Sequence, residues 1–160
     1  MTDKVTNVVV AGLGGQGVLK ASDILADAAF LAGFDVKKSE IHGMSQRGGS
    51  VASDVRFGRA VYSPMVTAGE ADYLLVLAAD QVDNNRHVLR AGGVLISPDR
   101  IDENLLPDRR SLNVALLGVL SAYLPIAEPV WLEAVKESLT PKLHEANVQA
   151  FAIGRSSVKD

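Results

Sequence analysis

The segment GLGGQG, residues 12–17, is the first part of the sequence whose residue types and spacing suggest chemistry. Gly12, Gly14 and Gly17 fit the pattern G-x-G-x-x-G, and Gly15 adds a fourth glycine inside it. Glycine permits a positive φ angle, which we expect at Gly14, and free backbone N–H groups at the start of a following helix attract anions. Three interpretations stay open: a dinucleotide site, a simple anion contact, and a tight turn that packing alone requires.

Dinucleotide binding is the interpretation that the sequence supports least. A dinucleotide fold adds an acidic residue about 20 positions later for the ribose hydroxyls, together with a second mononucleotide-binding half. Asp35 and Glu40 lie near that distance, but both stand among lysines in the segment DVKKSE. A chain of 160 residues is also short for two complete halves.

A second cluster of polar side chains lies in the segment HGMSQRGGS, residues 42–50. It contains His42, Ser45, Gln46 and Arg47, surrounded by Gly43, Gly48 and Gly49. The guanidinium of Arg47 can bind a carboxylate or phosphate through two parallel hydrogen bonds, or form an ion pair with another subunit, and both roles stay open. His42 is either a polar contact toward a partner or a hydrogen-bonded structural side chain, and Ser45 and Gln46 share these alternatives.

The elements that position these two segments alternate between strand and helix patterns. The predicted strands span residues 5–11, 34–41, 51–57 and 71–80, with a hairpin return at 58–66. A further strand is predicted within AGGVLISPD, residues 91–99, between a turn and a stop. The predicted helices span residues 17–32, 111–124 and 140–154, with another beginning near residue 129. A further helix, carrying Val82, His87 and Leu89, is expected to begin at Asp80. Gly33 and Gly154 are the expected stops, Ser111 is the expected cap, and Asp80 either caps a helix or faces a ligand cleft. The alternation predicts an α/β three-layer sandwich with a largely parallel sheet and C-terminal helices.

Composition excludes several classes of function. The chain has no cysteine, so it has no disulfide, no thiolate nucleophile and no thiolate ligands for an iron–sulfur cluster. Three scattered histidines argue against a zinc site. A net charge of −3 without a basic block argues against nucleic acid as a partner. No signal-peptide pattern and no apolar run of about 20 residues occur, so we expect a cytoplasmic protein without a membrane partner.

Four segments together resemble the gamma subunit, or gamma domain, of the 2-oxoacid:ferredoxin oxidoreductases over nearly the whole chain. They are AGLGGQGVLKAS, SEIHGMSQRGGSVASDVRFG, VYSPMVTAGEADYLLVLA and NVQAFAIG. The segment HGMSQRGGSV is most similar to the indolepyruvate branch of the family. In that branch this domain is a small subunit beside a large chain that carries thiamine diphosphate and iron–sulfur clusters. The stretch between Pro98 and Ser111 is shorter than in typical members of the family.

The resemblance implies a single Rossmann-like gamma-type domain over residues 1–160 without catalytic residues of its own. Complexes of this family decarboxylate a 2-oxoacid on thiamine diphosphate, pass electrons through iron–sulfur clusters to ferredoxin, and transfer the acyl group to coenzyme A. The chain has no thiamine-binding GDG…NN pattern, so we expect it to be inactive without the large subunit. The expected contacts to a ligand or to the partner's active site are Gly12, Gly14, Gly15, Gln16, Gly17, His42, Ser45, Gln46, Arg47, Gly48 and Gly49. The alternative is a stand-alone nucleotide- or CoA-binding or regulatory module of the same fold.

Overall fold

The structure, a computed structural model, describes residues 3–42 and 49–158. Its single sheet contains strands β1 (Thr6–Leu13), β2 (Asp35–His42), β3 (Ser50–Gly58), β4 (Ala71–Val76) and β5 (Leu89–Ile96). The strand order is β2-β3-β1-β4-β5. β1 pairs in parallel with β4, and β4 pairs in parallel with β5, whereas β3 is antiparallel to both β1 and β2. The predicted α/β class is confirmed, and the expectation of a largely parallel sheet is partly right because β3 runs against the other four strands.

β1 is the central strand, and both of its faces are buried. Val8 and Val10 face one side of the sheet and Val9 and Ala11 face the other, and all four are at most 3% exposed. A continuous run of β-branched and small apolar residues is what such a doubly covered strand requires. The sequence pattern therefore located this strand correctly.

The helices cover the two faces of the sheet unequally. The helices are α1 (Val18–Leu31), α2 (Val82–Asn85), α3 (Leu112–Ser121), α4 (Glu128–Ser138) and α5 (His144–Ser156). The face of Val8 and Val10 packs in one core with side chains of α1, α3, α4 and α5. On the opposite face the described residues form a thinner layer, to which Val66, Val82 and Val88 contribute. Among the helices of the described residues, none is both long and apolar enough to cross a bilayer.

Gly118 and Gly154 allow α3 and α5 to cross in close contact. A Cβ atom on Gly154 would lie 1.8 Å from the carbonyl oxygen of Ala115, and one on Gly118 would lie 2.1 Å from that of Phe151. The predicted role of Gly154 as a helix stop is therefore wrong, because α5 continues to Ser156 and the glycine serves the helix crossing. Gly33, in contrast, follows α1 with a φ of 95° and confirms the predicted stop.

Residues 59–70 contain no strand, so the predicted hairpin return is wrong. Side chains of the neighbouring strands hold this segment instead of a ladder of backbone bonds. The amide of Val61 donates to Asp35 Oδ2 over 2.7 Å, and the amide of Val66 donates to Asp54 Oδ2 over 2.9 Å. Arg56 donates to the carbonyl oxygen of Ser63 over 2.6 Å.

Neither of the two predicted side-chain caps forms among the described residues. Ser111 stands before α3, but its hydroxyl donates to the carbonyl of Asp108 and caps no N–H group of the helix, so the predicted cap is wrong. Asp80 is exposed in a 3-10 turn, Ala79–Gln81, and no capping hydrogen bond of its side chain is present among the described residues. The helix expected to carry Val82, His87 and Leu89 is reduced to α2, which has four residues, and Leu89 instead begins β5.

Trp131 anchors α4 in the core. It is the single tryptophan of the sequence, its side chain is fully buried, and its ring centroid lies 5.8 Å from that of Phe151 on α5. No described residue accepts a hydrogen bond from its indole nitrogen. The contact joins α4 to α5 next to the α3–α5 crossing.

Candidate functional site

The glycine turn connects β1 to α1 at the carboxyl edge of the sheet. Its residues with positive φ are Gly15, at 88°, and Gly17, at 85°, so the expectation of a positive φ at Gly14 is wrong. The side-chain oxygen of Gln16 accepts a hydrogen bond of 2.7 Å from the amide of Leu13, which closes the turn. The glycine pattern correctly predicted a special backbone but not which glycines adopt it.

Two glycines of the pattern permit close packing. A Cβ atom on Gly12 would lie 2.8 Å from Gln16 Oε1 and 3.2 Å from the Cβ atom of Leu77. A Cβ atom on Gly17 would lie 2.5 Å from Asn113 Nδ2, which donates a hydrogen bond of 3.2 Å to the Gly17 carbonyl. The sequence gave no sign of this contact, because Asn113 is 96 positions away along the chain.

The electrostatic environment at the start of α1 favours the binding of an anion. No side chain caps it, its first turn carries no acidic residue, and no described residue accepts a hydrogen bond from the amides of Gly15, Gly17 or Val18. These free N–H groups lie at the positive end of the helix dipole. A cleft of about 340 Å³ adjoins the turn and is lined among others by Leu13, Lys20 and Val51.

The second motif begins and ends beside the glycine turn. His42, the last residue of β2, pairs with Val51 of β3, and the amide of Gly14 donates a hydrogen bond of 2.8 Å to the carbonyl of Gly49. The structure therefore brings the ends of the two predicted motifs together at one edge of the sheet. Ser45, Gln46, Arg47 and Gly48 and the side chain of His42 lie outside the described part of the chain, so their predicted contacts stay predictions.

The acidic residues considered for a ribose site have structural partners. Asp35 accepts the amide of Val61, and Glu40 lies 2.6 Å from the Lys38 ammonium. Lys38 also bonds Asp23. Burial lowers the pKa of Lys38, but the bonds from Asp23 and Glu40 outweigh this and raise it. Asp35 and Glu40 therefore both have structural roles in this chain, which weakens the dinucleotide interpretation.

Iron–sulfur clusters do not fit this chain, since they are held by cysteine thiolates and the sequence has none. Within residues 3–42 and 49–158, no group of three or more histidine, aspartate or glutamate side chains is arranged to hold a metal ion. The described residues of the site offer backbone amides and polar side chains to a ligand.

Comparison with known proteins establishes the family. A family model described as pyruvate ferredoxin/flavodoxin oxidoreductase matches residues 7–107, which is more than half of the chain. The chain belongs to this family. Membership confirms the resemblance to oxidoreductase gamma subunits that the sequence motifs indicated.

Relatives in the pyruvate ferredoxin/flavodoxin oxidoreductase family are subunits of enzymes that act on different 2-oxoacids. The indolepyruvate oxidoreductase subunit IorB of Thermococcus kodakarensis is 32% identical, with 96% of each chain covered. The 2-oxoglutarate synthase subunit KorC of Archaeoglobus fulgidus is 31% identical, with 92% of this chain and 85% of the relative covered. The IorB alignment runs over 196 positions, so that relative has residues without a counterpart in this 160-residue chain.

A solved structure shares the fold of this family member. The gamma subunit of the keto/oxoacid ferredoxin oxidoreductase from Geobacter sulfurreducens superposes with a TM-score of 0.83, at 24% identity and with 96% of each chain covered. At this level of identity the similarity concerns the fold. The mixed five-stranded sheet with its helices is therefore an architecture that gamma subunits adopt.

Proposed function

We propose that this chain is the small subunit of an indolepyruvate-type 2-oxoacid:ferredoxin oxidoreductase. The observation that carries the proposal is the 32% identity to IorB over 96% of both chains. The segment HGMSQRGGSV supports the same branch. The complex would convert an aryl pyruvate such as indolepyruvate, with coenzyme A, into the acyl-CoA and CO₂, and would pass the two electrons to ferredoxin.

The large partner subunit carries the thiamine diphosphate and the iron–sulfur clusters in this proposal, because this chain has no cysteine and no thiamine-binding pattern. Thiamine diphosphate supplies the carbanion stabilisation for decarboxylation, and the clusters supply electron transfer. This chain contributes binding and positioning. Its part is to hold an anionic group of the substrate or coenzyme at the carboxyl edge of the sheet.

Residues of both motifs form the contact surface for that anionic group. The amides of Gly15, Gly17 and Val18 lie at the start of α1, and the chain connecting β2 to β3 starts and ends next to them. Arg47 belongs to this connection and supplies the positive charge for a carboxylate or phosphate. The proposed contact residues are Gly12, Gly14, Gly15, Gln16, Gly17, His42, Ser45, Gln46, Arg47, Gly48 and Gly49.

A second candidate function is a stand-alone CoA- or nucleotide-binding module. It is favoured by the cleft of about 340 Å³ next to the uncapped start of α1, where backbone amides would face a bound anion. The two functions differ in whether the chain requires a partner. Co-purification separates them directly.

The test is co-expression of the tagged chain with its large subunit. We expect a brown complex that reduces methyl viologen with indolepyruvate and CoA, while the small chain alone is colourless and inactive. The same assay with 2-oxoglutarate and pyruvate assigns the branch, and indolepyruvate should give the highest kcat/KM. Turnover by the isolated small chain, or failure of the two chains to associate, would contradict the subunit proposal.

A further inference from the structure

β2 forms an open edge of the sheet. The strand order places β2 at one end of the sheet and β5 at the other. β3 pairs with one side of β2, and no described residue forms a backbone hydrogen bond with its other side. Such an edge presents a row of N–H and C=O groups with which a further strand can pair.

The two edges of the sheet differ in regularity. β2 pairs with β3 over all eight of its residues without a register shift. β5 has a register shift opposite Ala71 and Tyr73 of β4, and Arg100 donates a hydrogen bond of 2.9 Å to the carbonyl of Leu95. Bulges and covering side chains protect an edge against pairing with another chain. Among the described residues, β2 is therefore the edge better suited to accept a further strand.

The charges on β2 balance one another. The strand carries two acidic residues, Asp35 and Glu40, and two lysines, Lys37 and Lys38. Unpaired lysines on an edge strand oppose pairing with another strand. Here Lys38 bonds both Asp23 and Glu40, and the Lys37 ammonium lies 3.9 Å from Asp35 Oδ1. Lysine charge therefore does not close this edge.

Pairing with a second copy of the same strand restricts the register. A two-fold axis perpendicular to the sheet makes the two strands antiparallel. Since antiparallel pairs alternate between hydrogen-bonded and non-hydrogen-bonded types, one residue of β2 must face its own copy on the axis. An axis at Asp35, Lys37, Lys38 or Glu40 would set two like charges directly opposite each other, which is destabilising.

Ser39 is the axis position that combines a long overlap with opposite charges. With Val36 or Ile41 on the axis, only three residues of each β2 overlap, 35–37 or 40–42, and with His42 only one. With Ser39 on the axis, residues 36–42 of both strands overlap. Lys38 then lies opposite Glu40 of the second copy, and this pair occurs twice because of the symmetry.

A groove on the α1 side of β2 adds apolar surface next to this edge. Its volume is about 560 Å³, and its lining includes Phe30, Val36 and Lys38. The Phe30 side chain belongs to the last turn of α1 and is 70% exposed. Covering this surface would add apolar burial to the backbone hydrogen bonds of an added strand.

We propose that β2 is a self-association surface through which two copies of this chain form a continuous sheet. The two β2 strands run antiparallel about an axis at Ser39, with Lys38 of each copy opposite Glu40 of the other. The proposal concerns this chain alone and does not rest on the proposed function.

The test uses single cysteines, for which the chain is suited because its sequence has none. In Ser39→Cys the two Cα atoms would lie about 4.5–5.5 Å apart, within the range of about 4.4–6.8 Å that a disulfide spans. We expect this variant to form a covalent dimer under mild oxidation, which reducing agent reverses. Sedimentation velocity of the unmodified chain should show a dimer that dissociates on dilution.

The matched control is Lys37→Cys, which places the thiol on the same strand and the same face. In the proposed register its two Cα atoms lie about 14 Å apart, since four residues of stagger separate them. It should stay monomeric on non-reducing gels under the same oxidation. Cross-linking of Lys37→Cys as fast as that of Ser39→Cys, or a monomeric unmodified chain at every concentration, overturns the proposal.

Hydrogen exchange of the β2 amides separates a second copy from the large subunit as the occupant of the edge. Amides of β2 should become protected as the concentration of the full chain rises. Protection that appears only when the large subunit is added would assign the edge to that subunit and overturn self-association. The proposed function is judged separately, by whether the two subunits form an active complex.

Discussion

Gly15 and Gly17 have the same backbone conformation but different surroundings. Their φ angles are 88° and 85°. A Cβ atom on Gly15 meets nothing within 4 Å, whereas one on Gly17 would collide with the side-chain amide of Asn113. The two positions therefore separate backbone strain from steric contact within one turn.

We expect Gly15→Ala to lower the free energy of unfolding by about 1 kcal/mol, through left-handed strain alone. Gly17→Ala should lower it by about 2–3 kcal/mol, because it adds the displacement of Asn113 and the loss of its hydrogen bond. Urea denaturation of the three chains measures both changes. Equal losses for the two variants would contradict a steric role for Asn113.

Asp54 and Asp72 are both buried carboxyls, but their pKa values shift in opposite directions. Burial raises the pKa of Asp54, and the amide of Val66 only partly offsets this. Burial also acts to raise the pKa of Asp72, but bonds from the amide of Asn7 and from Arg90, with the charge of Lys4, outweigh it and lower the pKa. A charged partner thus decides the sign of the shift.

The two carboxyls predict opposite pH dependences of stability. The unfolded pKa of aspartate is about 3.9. Asp54 has a higher folded pKa, so its ionisation costs stability as the pH rises from about 3.9 through that folded value. Asp72 has a lower folded pKa, so its contribution is complete above about 3.9 and is lost as the pH falls through that folded value.

Asparagine variants at these two positions test the assignment by urea denaturation from pH 3 to 7. The free energy of unfolding of Asp54→Asn should increase relative to that of the unmodified chain as the pH rises. Asp72→Asn should be destabilised by about 1 kcal/mol at pH 7, since Arg90 is partly exposed and solvent screens the pair, and less at pH 3. Parallel pH curves for the two variants would refute the opposite shifts.

At the scale of elements, the α3–α5 crossing depends on the absence of a side chain at Gly154. Alanine normally stabilises a helix relative to glycine by about 1 kcal/mol. We expect Gly154→Ala to do the opposite and lower the free energy of unfolding by about 3 kcal/mol or more, because its Cβ atom would meet backbone of α3.

The matched control introduces the same residue on the exposed side of the same helix. Gln149→Ala should change stability by no more than about 0.5 kcal/mol. Thermal unfolding of both variants measures the contrast. A stability of Gly154→Ala equal to or above that of the unmodified chain would show that the helices can separate without cost.

Gly154 also shows which features of the helices could not be predicted from the sequence. Burial patterns predicted the five strands and the long helices, because one face or both faces of each element must be apolar. Gly154 was mistaken for a stop, since a terminating glycine and a contact glycine have the same residue type. The strand expected in residues 58–66 is absent because Asp35, Asp54 and Arg56 form hydrogen bonds with backbone groups of that segment. Such side-chain partners are determined by the tertiary structure and not by the local sequence.

The candidate site was predictable to a similar extent. The sequence motifs identified the glycine turn and the segment that follows β2. The contact between their ends, Gly14 to Gly49, depends on β3 returning antiparallel between β1 and β2, which the local pattern did not specify. The contact of Asn113 with Gly17 was not predicted, because the two residues are 96 positions apart along the chain.

At the scale of the whole molecule, the question is whether this chain, as the proposed small subunit, contributes to catalysis or only to assembly. Arg47→Ala in the complex distinguishes the two. If Arg47 binds the ligand, as we propose, the complex should assemble normally and kcat/KM should fall about ten- to a hundredfold. If it forms an interface ion pair, size-exclusion chromatography should show weaker association, with little change in the kinetics of the assembled enzyme.

The control for this variant is Arg59→Ala, which removes an exposed arginine that lies 3.4 Å from Asp3. It should leave both assembly and kinetics unchanged. Normal assembly together with normal kinetics in Arg47→Ala would exclude Arg47 from the ligand site and from the interface.

The buried position of Trp131 makes its intrinsic fluorescence a probe of the isolated chain's structure. An indole emits at shorter wavelength in an apolar core than in water, and the sequence contains no second tryptophan to obscure the change. Because the Trp131 ring packs against Phe151 of α5, its fluorescence should report separation of α4 from α5. The intrinsic emission of the chain can therefore show whether unfolding starts in its helical layer.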